Sequence, residues 1–245
     1  MKTIGLIGGT TWLSTVEYYR LLNQLVNRRL GGIHSAKVLL YSVEFAGVSL
    51  LQKEDRWEEL TEVYIDIARK LQTAGADCLL LGANTMHCMA EGIQSAIDIP
   101  LIHIGEATAL EVKRRGVKRV GLMGTKYTME MDFYKKKLAA QKIEQLLPLD
   151  DEREFIHSTI YNELAKGVFR DETKLQFKTI IRNLVNRGAE GVILGCTEIP
   201  LLIKQADSSV PVFDTTEIHV NAAVEFALHP EPTFSVGDRS AHSNS

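Results

Sequence analysis

Gly75-Ala-Asp-Cys-Leu-Leu-Leu-Gly-Ala83-Asn-Thr85 lies over Gly188-Ala-Glu-Gly-Val-Ile-Leu-Gly-Cys196-Thr-Glu198 at an offset of 113 residues, with Ala83 opposite Cys196. Each stretch runs from a glycine through an apolar strand pattern into a small polar turn. The repeat extends outward in both directions. Lys2-Thr-Ile-Gly-Leu-Ile-Gly8 recurs as Lys118-Arg-Val-Gly-Leu-Met-Gly124, and Ile99-Pro-Leu-Ile recurs as Val210-Pro-Val-Phe. Three matched segments in the same order imply an internal duplication on the scale of a domain. Apolar runs alternate with helical patterns throughout, which is the signature of parallel sheets flanked by helices. The expected fold is therefore α/β, with two pseudo-symmetric domains, each a mostly parallel sheet flanked by helices. Ligands of such sheets sit beyond the carboxyl ends of the strands. That places the site in the cleft between the halves, with Ala83 and Cys196 looking into it from opposite sides.

The chain length agrees with this division. A chain of 245 residues, 45% of them hydrophobic, can bury one large core or two of about 100 to 120 residues each. The expected domains are 1–98 plus 206–228, and 99–205, with 229–245 a disordered tail because it is rich in Pro, Ser, Gly and charge. A net charge of -3 without any basic cluster gives no footprint for nucleic acid. There is no apolar run of 18 or more residues, and Met1-Lys-Thr-Ile-Gly leads straight into a strand. The expectation is a cytoplasmic protein without a membrane partner. Cys78, Cys88 and Cys196 are odd in number and lack a C-x-x-C spacing, so neither a disulfide framework nor a metal site is expected.

Strands are expected at 3–7, 38–43, 78–81 and 101–104 in the first copy, and at 119–123, 192–194 and 212–214 in the second. Helical spacing marks 14–29, 57–73, 106–115, 128–141, 152–165 and 172–187. Gly75 and Gly188 follow helices as left-handed caps.

Candidate site residues cluster at turns after strands. Gly8-Gly9 leads into Thr10 and Thr11, and Gly124 leads into Thr125 in the second copy. The Gly8-Gly9 turn admits three readings, a tight strand-to-helix turn, a carboxylate-binding turn and a nucleotide site with Glu44 as the ribose acid; the last lacks a P-loop lysine and a full G-x-G-x-x-G. The repeat itself supplies Ala83, Asn84, Thr85 and His87 on one side, and Cys196, Thr197 and Glu198 on the other. Cys78 lies inside a strand and Cys88 on the helix after the turn, both in packing positions. Cys196 differs, since it stands at a strand terminus beside donors able to stabilise a thiolate.

Five motifs together resemble the cofactor-independent aspartate/glutamate racemase family. They are Gly5-Leu-Ile-Gly-Gly-Thr-Thr, Asn84-Thr-Met-His87, Leu122-Met-Gly-Thr-Lys-Tyr-Thr-Met129, Leu194-Gly-Cys-Thr-Glu198 and Val212-Phe-Asp-Thr-Thr-Glu-Ile-His219. The resemblance implies two similar α/β domains that clasp an amino acid, and a thiol on each face that exchanges the α-proton without pyridoxal phosphate, other cofactor or metal. It also implies a homodimer. The family's second cysteine matches Cys196; its first falls on Ala83, which has no transferable proton. The acid opposite Cys196 then lacks an obvious owner, and Thr85 and His87 are the nearest candidates. By resemblance, Lys166 holds a substrate carboxylate and Gln52, in the loop after the second strand, is a further contact. Thr10, Thr11, Asn84, Thr85, Thr125, Thr197 and Glu198 complete the expected substrate shell. The missing thiol leaves two alternatives, a single-cysteine decarboxylase of the arylmalonate type and a non-catalytic homologue that binds an amino acid.

Overall fold

Two all-parallel sheets carry the repeat in the computed structural model, which describes residues 1–229. The first half runs β1 (Ile4–Gly8), α1 (Trp12–Leu30), β2 (Val38–Ser42), α2 (Phe45–Lys53), α3 (Trp57–Thr73), β3 (Cys78–Leu81) and α4 (Ala90–Ser95). Next come α5 (Ile104–Arg114), β4 (Arg119–Gly124), α6 (Lys126–Glu130), α7 (Asp132–Ala140), β5 (Glu144–Leu146), α8 (Asp150–Asn162), α9 (Asp171–Asn186) and β6 (Gly191–Gly195). The chain closes with α10 (Ile199–Leu202), β7 (Val212–Asp214) and α11 (Thr215–Leu228). Strand order is β2-β1-β3 in one sheet and β5-β4-β6-β7 in the other.

The duplication extends to single hydrogen bonds. Leu79 N–H donates to Pro100 O at 2.9 Å, and Val192 N–H donates to Pro211 O at 2.9 Å. Gly75 and Gly188 adopt φ of 96° and 99° at matching helix exits, a conformation that side chains disfavour. Beyond them, Ala76 and Ala189 each donate back to a leucine carbonyl at 3.0 Å.

Several boundaries differ from those expected. Leu101 forms a single parallel bridge to Leu79 in the first sheet rather than opening the second half. Conversely, β7 pairs with β6, so 212–214 belong to the second sheet and not with the first domain. Helix α11 does rejoin the first half, where Val220, Val224 and Ala227 pack with Leu22, Val26 and Leu80. It carries weak helical spacing because buried residues occupy several of its faces. The expected helix at 128–141 is two, broken where Met131 turns extended at ψ 147°. Glu44 does not wait for a ribose; its carboxylate caps α2 by accepting from Ala46 and Gly47 N–H, both at 2.9 Å. Gln52 accordingly lies within α2, not in a loop. The tail expected to be disordered falls, from residue 230 on, outside the described residues.

Candidate active site

Strand ends from both halves converge on one cavity. Thr10 and Thr11 follow β1, Ala83 to Thr85 follow β3, Thr125 follows β4 and Cys196 to Glu198 follow β6; all line it, together with Gln52 from α2. Ser14, Phe45, Ile160, Tyr161 and Ala165 also line it. These had no signal in the sequence, because they reach the site from helices whose own patterning records only their packing face. The space is small, about 50 Å³.

Cys196 is buried and its thiol donates to Glu198 Oε2 at 2.9 Å. The same oxygen accepts from Thr197 Oγ1 at 2.7 Å, and Oε1 accepts from Thr11 Oγ1 across the cleft at 2.5 Å. Thr11 also caps α1, where its Oγ1 accepts from Ser14 N–H at 3.2 Å. A carboxylate with three donors is well held, yet it sits against the thiol. Burial, and next the Glu198 charge, push the Cys196 thiol well above its ordinary value. Backbone N–H groups of Glu198 and Ile199 pull the other way and are outweighed. The donors expected to favour a thiolate are thus present, but the resting group is a thiol.

The facing side offers hydroxyls. Thr85 Oγ1 lies 2.8 Å from Thr125 Oγ1 and 3.3 Å from Thr128 Oγ1, and the last two are 3.2 Å apart. This chain of hydroxyls joins the two halves beside Ala83. Asn84 spans the halves as well. Its Nδ2 donates to Thr215 Oγ1 at 3.0 Å and its Oδ1 accepts from Tyr134 OH at 3.1 Å. With both ends engaged by protein, Asn84 ties the cleft together while its flank borders the cavity.

Two expected residues are not brought into the cavity. His87 is buried, but it turns back on its own loop, its Nδ1 lying 3.0 Å from Ala83 O. A carbonyl only accepts, so Nδ1 carries the hydrogen, and Nε2 is a buried acceptor without a partner among the described residues. Its ring packs 4.8 Å from His103 and 5.3 Å from His219, centroid to centroid. Burial first, then those two rings, hold His87 well below the usual histidine range. Its geometry is that of a loop brace. Lys166 closes a short turn at Leu164–Lys166 and is exposed, with Ala165 rather than Lys166 on the cavity wall. Cys78 and Cys88 also lie away from the cavity, and burial pushes each thiol up to about 12.

The Gly8-Gly9 turn is used internally. Gly9 N–H donates to Thr15 Oγ1 at 2.7 Å, and a side chain at Gly9 (φ 91°) would meet Val43 backbone atoms at 2.3 and 2.5 Å. The glycine is required by close approach of β2's exit rather than by a bound phosphate. Among the described residues no group of three or more His, Cys, Asp or Glu is placed to hold a metal ion, and no helix is long and apolar enough to cross a membrane.

Known proteins share this architecture. An Asp/Glu racemase candidate from Yersinia pestis superposes with a TM-score of 0.88 at 44% identity, covering 94% of this chain and 100% of its own. An aspartate racemase homologue from Pyrococcus horikoshii gives a TM-score of 0.82 at 38% identity, over 94% of this chain and 100% of its own. The broad specificity amino-acid racemase RacX of Bacillus subtilis is 26% identical over 171 residues, 70% of this chain and 74% of its length. Residues 7–223 match the Asp/Glu/hydantoin racemases, and the chain belongs to that family.

Proposed function

We propose that this protein is a cofactor-independent racemase of aspartate, glutamate or a similar amino acid, in which Cys196 moves the α-proton. The observation that carries this reading is the Cys196–Glu198 hydrogen bond of 2.9 Å on the wall of a cavity shared with Ala83. A thiol must lose its hydrogen before it can act as a base, and Glu198 is the acceptor already in place. Arrival of the substrate ammonium adds positive charge beside the dyad and favours the ionised thiol. The Sγ–H hydrogen then passes to Glu198, and the thiolate removes the α-proton from its own face. The electron pair left on the α-carbon spreads into the substrate carboxylate, for which the hydroxyls of Thr10, Thr85 and Thr125 on the cavity wall are the proposed donors.

Once the hydrogen on Cys196 has traded with solvent deuterium, its return to the α-carbon from the same face gives exchange without inversion. Inversion needs delivery from the opposite face, where Ala83 contributes nothing. The Thr85, Thr125 and Thr128 hydroxyls, or a water among them, supply that proton through a poorer acid than a thiol. Exchange of one enantiomer in heavy water is therefore expected to outpace its inversion. Loss of the α-proton signal by NMR, set against chiral chromatography of the same sample, tests this. Equal rates would mean that a competent second acid exists. Saturable binding without exchange would support a binding protein instead. Carbon dioxide release from a disubstituted malonate would favour the single-cysteine decarboxylase that Ala83 also accommodates.

A further inference from the structure

A second cavity adjoins the first, with Gln52 and Tyr161 on the walls of both. The inner one, at Cys196, has room for roughly three to five waters at 10–15 Å³ each, and among the described residues Glu198 is the only charged side chain on its wall. A second substrate carboxylate placed there would be buried beside a like charge with no cation to offset it. The outer cavity, about 370 Å³, shares Gln52 and Tyr161 with the inner one and is lined by Lys53 from the end of α2, Lys126 from α6 and His157 from α8. Among the described residues neither Lys53 nor Lys126 is in an ion pair. Among the described residues Glu154 is the one acid on this wall, so their charges leave the outer cavity positive.

The junction between the cavities is built for a donor. Gln52 is 4% exposed, and its Oε1 is buried without a hydrogen-bond partner among the described residues. A buried amide oxygen left empty costs stability unless a ligand N–H fills it. Beyond Gln52 the wall is aromatic, with His157 5.0 Å from Tyr161 and 6.0 Å from Tyr127 between ring centroids. Such faces pack against methylene groups. His157 Nδ1 accepts from Lys126 N–H at 3.3 Å, which leaves the ring hydrogen on Nε2 as another donor.

We propose that the outer cavity is the side-chain subsite, and that it selects α-amino acids carrying an anionic group on two or more methylenes. This rests on the racemase reading of the inner cavity. The α-carbon stays at Cys196 and the α-ammonium donates to Gln52 Oε1. The side chain runs past Tyr161 and presents its terminal anion to Lys53 and Lys126. Glutamate and 2-aminoadipate fit; aspartate is too short to leave the inner cavity, and glutamine lacks the charge.

The full chain, incubated in heavy water with L-glutamate, L-2-aminoadipate, L-aspartate and L-glutamine, tests the subsite through KM for α-proton exchange. Lys53→Met and Lys126→Met should each raise KM for glutamate roughly 10- to 100-fold, leave KM for glutamine within about twofold and leave kcat nearly unchanged. Lys126→Arg should restore most of the loss. Both lysines are exposed, so their replacement spares the fold. Preference for aspartate over the two longer acids, or equal effects of the variants on glutamate and glutamine, would overturn the proposal while leaving the racemase intact. If no amino acid exchanges, calorimetric titration with glutamate and glutamine decides. Binding of glutamate alone, weakened by Lys126→Met, would support the subsite although the racemase reading fails. Indifference to the side-chain charge would overturn the subsite.

Discussion

The Sγ of Cys196 donates its hydrogen to Oε2 of Glu198 across 2.9 Å, so under the proposed mechanism the base begins by holding a proton. Glu198 in turn is anchored from the other half by Thr11 at 2.5 Å. Closure of the cleft and the protonation state of the thiol are thereby linked through one carboxylate. A cleft that opened would free Glu198 from Thr11 and alter the base.

Replacing Glu198 by Gln removes the second and third causes that raise the Cys196 thiol, leaving burial. Alkylation of Cys196 by iodoacetamide should then reach its midpoint at lower pH. Cys78 and Cys88, both near 12, stay silent in that range. Exchange should nevertheless fall by about 10²-fold, because the acceptor of the thiol hydrogen is gone. An unchanged alkylation midpoint would mean that Glu198 does not control the thiol.

Cys196→Ser should lower α-proton exchange by about 10² to 10⁴-fold with the fold intact, since a hydroxyl is a far weaker base at neutral pH. Cys78→Ser should cost stability alone, its side chain being fully buried in β3 away from the cavity. Wild-type exchange by a folded Cys196→Ser protein would remove the thiol from the mechanism.

Ala83→Cys should raise inversion relative to exchange by placing a thiol on the face opposite Cys196. Both positions border the same cavity, and the added atom is one sulfur. Chiral chromatography beside NMR reads the ratio directly. No change in that ratio, in a variant that still binds the amino acid, would mean that the two positions do not flank the α-carbon.

Asn84→Ala should cost about 2 kcal/mol in urea unfolding, since it strips Tyr134 of its 3.1 Å acceptor and Thr215 of its 3.0 Å donor in a buried seam. A midpoint within a few tenths of a kcal/mol of wild type would show that the seam is not under load there.

Acid should weaken the protein before its carboxylates titrate. His219 is fully buried, its Nε2 donating to Ile102 O at 2.6 Å and its Nδ1 accepting from Tyr18 OH at 2.8 Å; burial lowers it to about 4. A histidine whose folded value lies below 6.5 is protonated first in the unfolded chain. Its stability is therefore whole above about pH 6.5 and drains away as pH falls toward 4, by an amount on the order of 3 kcal/mol. His87, lowered in the same direction by burial, adds to the slope. Urea midpoints at pH 7 and pH 4.5 measure it, and equal midpoints would sink the assignment of a neutral histidine core.

The sequence by itself determined the duplicated α/β plan, because the pattern that sets strands and helices is local and the second copy could be compared with the first. It also marked strand ends that the fold brings to one cavity. Ten of the residues it nominated, among them Thr11, Gln52, Thr85 and Glu198, meet at one cavity. What it could not determine is where each side chain points. His87 follows the repeat as closely as Thr85 does, yet one turns to the Ala83 carbonyl and the other to Thr125. Lys166 adjoins Ala165 in the chain, but only Ala165 reaches the wall. Helix α11 and strand β7, next to each other in sequence, serve different halves. Pairings such as Thr11 with Glu198, or Asn84 with Tyr134 and Thr215, join residues far apart in the chain. Only the tertiary structure decides them, because they depend on how two packed halves meet, and no local periodicity encodes that meeting.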